Sequence, residues 1–131
     1  MKLLTNYPTE ILILLFLIVT FLQSGIDKIT DWKGNVSFIK GHFSNSPLKN
    51  MVPMLVGTIL VLEVLAGILM VFGIYQLATS GAKEIALLGA EISAITLIFL
   101  LIGQRLAKDY AGAMTLAVYF IPTVFLVFLL Q

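Results

Sequence analysis

The sequence predicts an all-α fold, an integral membrane bundle of four helices. Of the 131 residues, 60% are hydrophobic and only 11% are charged, with a mean hydropathy of +1.06, which is far more apolar than an ordinary soluble domain. Apolar runs of about 20 residues, the length that crosses a hydrocarbon core of about 30 Å, recur four times along the chain. Residues 1–131 are therefore predicted to form a single transmembrane domain.

The first span covers about residues 7–29. A secretory signal peptide is the alternative, because Lys2 precedes an apolar stretch near the N-terminus. Glu10 just before the run, and the segment from Gln23 to Lys28, which lacks a small-x-small cleavage site, argue against cleavage. The segment is therefore expected to remain as the first transmembrane helix.

Three more spans are predicted at about 52–77, 85–103 and 111–130. Small residues recur in all of them, and in lipid such residues let helices approach closely. They are Gly57, Ala66, Gly67, Gly73, Gly89, Ala90, Ser93, Ala94, Gly112, Ala113 and Ala117. The turns between these spans are short, so consecutive helices should pack as antiparallel neighbours.

The longest connection, residues 30–50, is predicted to be an interfacial loop that lies flat on the membrane. Its apolar and basic side chains alternate, as expected where rings lie at headgroup depth. The apolar residues are Trp32, Phe38, Ile39 and Phe43, and the basic ones Lys33, Lys40 and His42.

Basic residues predict the orientation of the bundle. The face with the first and third connections carries Lys28, Lys33, Lys40, Lys49, Arg105 and Lys108, whereas the face with both termini carries only Lys2 and Lys83. By the positive-inside rule, loops 30–50 and 104–110 are cytoplasmic and both termini lie outside.

Composition also excludes several classes of function. The net charge of +1 and the scattered basic residues argue against a nucleic-acid partner. The chain has no cysteine, so thiol redox chemistry and iron-sulfur clusters are excluded as activities of this chain alone. His42 has no companion ligands in the sequence, and no metal site is predicted. Membrane lipids are the expected surroundings.

Two glutamates lie inside predicted spans, where a charge costs at least about 2.5 kcal/mol on insertion scales. Glu63 is near the middle of the second span and Glu91 about two turns into the third. Because these spans are antiparallel, the carboxylates should lie within about 10 Å in depth, which would allow them to face one cavity. For Glu63 we favour a functional role as a proton carrier. For Glu91 a functional role and a hydrogen-bonded structural role both remain open.

An intramembrane carboxylate is expected to be neutral or to pair with a cation from another helix. The end of the first span offers such a cation, because Lys28 lies on a polar stripe and can reach inward along its stem to Glu63. The stripe comprises Thr20, Ser24, Asp27, Lys28 and Asp31, with Gln23 beside it. If the surroundings of Glu63 are apolar, replacement by leucine should affect assembly only modestly.

The candidate ligand-binding residues are Gln23, Lys28, Glu63, Glu91 and Tyr119. Thr115 and Tyr119, four apart in the fourth span, can direct hydroxyls into the same interior. Arg105 and Asp109 are also four apart. They are either part of a solvated turn or a structural pair that closes the cytoplasmic end of the bundle.

Three short motifs carry a family resemblance. They are Gly25 and Lys28 at the end of the first span, Glu63 and Gly67 in the second, and Arg105, Asp109-Tyr110 and Gly112-Ala113 before the fourth. Together they resemble the DoxX family of small four-helix membrane proteins, and the resemblance extends over nearly the whole chain. It implies a multi-pass protein of the bacterial inner membrane.

The resemblance also implies a role in a larger assembly. Relatives are associated with thiosulfate:quinone oxidoreductase and with a complex of a sulfurtransferase and a superoxide dismutase, so quinone is the most natural small molecule. One hypothesis is an accessory or assembly subunit of a respiratory or oxidoreductase complex, without covalently bound cofactor. The other is a quinone-linked subunit in which Glu63 handles protons. The lack of a cofactor ligand set favours the first, and a small transporter or channel is a third alternative.

Overall fold

The structure, a computed structural model, describes residues 6–131 and is built from five α-helices. They are α1 (Pro8–Thr30), α2 (Trp32–His42), α3 (Val52–Thr79), α4 (Glu84–Leu106) and α5 (Tyr110–Leu130). All except α2 are long and apolar enough to cross a membrane. The all-α membrane bundle is thereby confirmed. Lys2, counted above in the charge bias, lies outside the described residues.

The connection 30–50 is not simply a loop, because α2 occupies its first half. Asp31 separates α2 from α1, and its side chain accepts a hydrogen bond from the Gly34 N–H at 3.2 Å, which caps the new helix. On its inner side, α2 packs through Val36 against the start of α3. Phe38 instead remains 71% exposed. The segment in which apolar and basic residues alternate therefore forms a short amphipathic helix.

The four long helices pack in the order α1, α3, α4, α5. Contacts are extensive between α3 and α4, between α4 and α5, and between α1 and α3, whereas the seam between α1 and α5 is sparse. The largest side chains of the shared core include Leu14, Leu17, Phe21, Met70 and Leu126. Exposed leucine, isoleucine, valine and phenylalanine cover the outer faces of all four helices, as expected of surfaces in contact with lipid.

Glycine allows the close approach of α3 and α4. A Cβ atom added to Gly73 would lie 2.6 Å from the Ala86 Cα, and one added to Gly89 would lie 3.1 Å from the Met70 backbone nitrogen. Neither contact leaves room for a side chain. Gly73 and Gly89 thus act as predicted for small residues in membrane spans, by bringing helix backbones together.

Candidate functional site

Within residues 6–131, the interior of the bundle contains one ion pair, between α1 and α3. The Lys28 Nζ lies 2.8 Å from the Glu63 Oε1, and the glutamate is only 3% exposed. Lys28 belongs to the last turn of α1, so its side chain reaches inward to the carboxylate as the sequence suggested. Each charge compensates the other, which relieves the cost of placing either one alone in an apolar interior.

The two partners differ in their hydrogen bonding. The ammonium of Lys28 donates to the Ser24 Oγ at 2.7 Å, one turn earlier in α1. The same ammonium lies close to the Glu63 Oε1, but the two groups are not oriented to form a hydrogen bond. This buried oxygen therefore accepts no hydrogen bond within the described residues. The carboxylate is therefore paired in charge but retains unused acceptor capacity.

The ion pair lies toward the end of the bundle that carries α2. The Trp32 ring lies against Gly57 of α3, where an added Cβ would be 3.7 Å from the ring. Tryptophan is typical of the membrane interface, and Glu63 follows Gly57 by a helical rise of about 9 Å. One turn before the lysine, Gly25 lets α1 approach Val64 closely. The pair thus occupies a tight seam below the interface.

Glu91 does not join this site. It is exposed on the outer face of α4, so the expectation that the two carboxylates face one cavity is wrong. The buried face of α4 is formed instead by Gly89, Ala90, Ser93 and Thr96. Because these small residues determine which side of α4 meets its neighbours, they also turn Glu91 outward. Their spacing was the signal in the sequence that could have revealed this.

Gln23 is also exposed, on the side of α1 away from the core. Phe21 and Gly25 define the buried face of this part of α1, and Gln23 lies between them on the opposite side of the helix. Gln23, a candidate ligand-binding residue beside the polar stripe, is therefore not directed toward the core that contains the ion pair.

Tyr119 lies half-buried along the sparse seam between α1 and α5. Its ring centroid is 6.1 Å from that of Phe16, whereas Thr115 is exposed. An open apolar groove of about 290 Å³ follows the same seam, and another of about 300 Å³ lies between α4 and α5. Neither groove is lined by Lys28 or Glu63, so these grooves and the ion pair are separate features.

A second polar cluster joins α2 to the turn between α4 and α5. The His42 Nε2 lies 2.7 Å from the Gln104 Oε1 and 3.4 Å from the Asp109 Oδ2. The other oxygen of Asp109 accepts from the Gly112 N–H at 2.9 Å and caps α5. These contacts fasten α2 to the end of the bundle, and no spacing or motif in the sequence predicts them because His42 and Gln104 are 62 residues apart.

The predicted pair of Arg105 and Asp109 is absent from the two ion pairs found in residues 6–131. Asp109 is turned toward the start of α5 by its capping role, whereas the Arg105 guanidinium lies 5.0 Å from the centroid of the Tyr110 ring. A cation–π contact therefore replaces the expected salt bridge. Within the same described range, no group of three histidine, aspartate or glutamate residues could hold a metal ion.

Fold and site together define a multi-pass membrane protein with a buried ion pair between two of its spans. Comparison with protein-family models, with curated proteins and with solved structures found no match.

Proposed function

We propose that this protein is an accessory or assembly subunit of a larger membrane complex of the respiratory or oxidoreductase kind, as its resemblance to the DoxX family implies. The observation that carries the proposal is the self-contained ion pair of Lys28 and Glu63. A carboxylate neutralised within its own chain, in a tight helix seam, suits a fastener between α1 and α3. The outer surface of the bundle is then the part of the protein that contacts lipids and other subunits.

A quinone-linked role is the second candidate, and one observation favours it. The buried Glu63 Oε1 accepts no hydrogen bond in the described structure. A hydroquinone hydroxyl that entered the seam could donate a hydrogen bond to this oxygen. The two apolar grooves do not reach Glu63, so such a ligand would have to separate α1 from α3.

Purification from native membranes in mild detergent tests the accessory role. We expect the chain to migrate with other membrane subunits in constant proportion, well above its own mass of 14.4 kDa. A chain that migrates alone, with only lipid and detergent, would contradict the proposal. A double variant, Lys28→Met with Glu63→Leu, then separates the two candidates. Unchanged quinone turnover of the complex supports the accessory role, and lost turnover at normal complex yield supports the quinone-linked role.

We also propose that α2 and the turn between α4 and α5 face the cytoplasm of a bacterial cell, with both termini outside. The six-to-two bias of basic residues supports this orientation. Ser37 is exposed on α2, and the chain has no cysteine, so Ser37→Cys provides a single labelling site. We expect it to react with an impermeant maleimide only after the membrane is permeabilised. Labelling in intact cells would show that the protein has the opposite orientation.

A further inference from the structure

The outer face of α4 carries a regular stripe of exposed residues: Leu88, Glu91, Ile95, Ile98 and Ile102. Their spacing alternates between three and four residues, as in the contact seam between two packed helices. The opposite side of α4 already packs on α3 and α5. Helix α4 therefore has a second potential packing surface, which we call the α4 seam, and no described part of the chain covers it.

Glu91 is the polar residue of this seam. It follows Glu84, the first residue of α4, by about 10 Å of helical rise, and neither of the two ion pairs in residues 6–131 includes it. A carboxylate in this position would face the hydrocarbon, and intramembrane charges almost always have a partner. Glu63 has its cation within the described part of the chain, whereas no cation pairs with Glu91 there.

We propose that the α4 seam binds a transmembrane helix of another subunit, and that this helix presents a lysine or arginine to Glu91. The inference rests on the accessory-subunit role and specifies the partner chemistry. The isoleucines and the leucine provide apolar contact on both sides of the carboxylate. A basic side chain at the same depth supplies the missing charge.

Charge complementarity favours such a helix over a second copy of this chain. Two copies related by an axis along the membrane normal would place Glu91 against Glu91. The nearest cation along α4 is Lys83, about 12 Å away in helical rise, which is beyond the reach of a lysine side chain. Lys28 already pairs with Glu63. A partner with its own basic residue is therefore the better match.

The test uses a polyleucine transmembrane helix as probe, with a single lysine about 10 Å from one end of its span. Association with the full chain is measured by energy transfer in phosphatidylcholine vesicles. We expect the lysine probe to bind about fivefold to tenfold more tightly than an all-leucine probe. Glu91→Gln should abolish this difference. Glu84→Gln, which removes the same charge at the helix end, should preserve it.

Equal binding of the lysine and leucine probes to the unmodified chain would overturn the proposal. If the chain still co-purifies with its complex, the accessory role stands and only the interface is wrong. If instead the lysine probe is preferred but no complex is recovered, the accessory role fails and recognition by Glu91 stands. A disulfide-linked homodimer of Ile95→Cys in native membranes would also overturn the proposal, because the seam would then bind a second copy.

Discussion

Replacement of Glu63 by leucine should lower the free energy of unfolding by about 3 kcal/mol, because it leaves the Lys28 ammonium without its counter-charge. This is the lower end of the range for broken buried pairs, since Lys28 keeps 18% of its side chain exposed. If the surroundings of Glu63 were only apolar, this replacement would be expected to affect assembly only modestly. The ion pair reverses that expectation, because the defect comes from the remaining lysine. The difference in the free energy of unfolding is obtained by measuring the folded fraction of each protein in bicelles as a denaturing detergent is added.

Removal of both charges is the decisive comparison. The double variant Lys28→Met with Glu63→Leu should recover most of the lost stability, because apolar replacements of a buried pair are often neutral or favourable. Glu91→Leu is the matched control, since this exposed carboxylate makes no ion pair within the described chain, and it should not reduce stability. A double variant as unstable as Glu63→Leu alone would show that the two charges are not coupled.

Substitution of Gly73 by valine is expected to lower the free energy of unfolding by about 3 kcal/mol, the upper end for overpacking. The added Cβ would meet the backbone of Ala86 at 2.6 Å, and a backbone cannot rotate away as a side chain can. Helices α3 and α4 must then separate along their whole contact. The same detergent titration measures the loss.

Two other glycines make the comparison specific. A Cβ at Gly67 meets only the side chain of Leu22, and one at Gly41 meets nothing within 4 Å. We therefore expect Gly67→Ala to cost less than Gly73→Val, and Gly41→Ala to be neutral or slightly stabilising because alanine favours the helix. If Gly73→Val were as stable as the original protein, the close approach of α3 and α4 would not depend on this glycine.

Part of the candidate site was accessible from the sequence. The contact between Lys28 and Glu63 follows from two local facts, a lysine on a polar stripe at the end of one span and a carboxylate at a compatible depth in another. Depth follows from residue number, because the helical rise is constant. The direction of a side chain around its helix does not follow in the same way.

The sequence did not correctly predict the direction in which several side chains point around their helix axes. The expectation that polar residues avoid lipid favours positions inside the bundle for Glu91 and Gln23, yet both are exposed. The four-residue spacing favours a pair of Asp109 with Arg105, yet Asp109 caps α5 and faces His42. In each case a contact with another part of the fold decided the direction.

The sequence by itself determined the four spans, because crossing a bilayer depends on hydropathy and length, which are local properties of the chain. The tertiary structure decided which face of each span is buried. In a soluble helix the apolar side marks the core, but here both the lipid-facing and the buried sides are apolar, so polarity gives little direction. Close backbone packing at residues such as Gly73 and Gly89 selects the inner face instead. That selection buries Glu63 beside Lys28 and turns Glu91 toward the membrane.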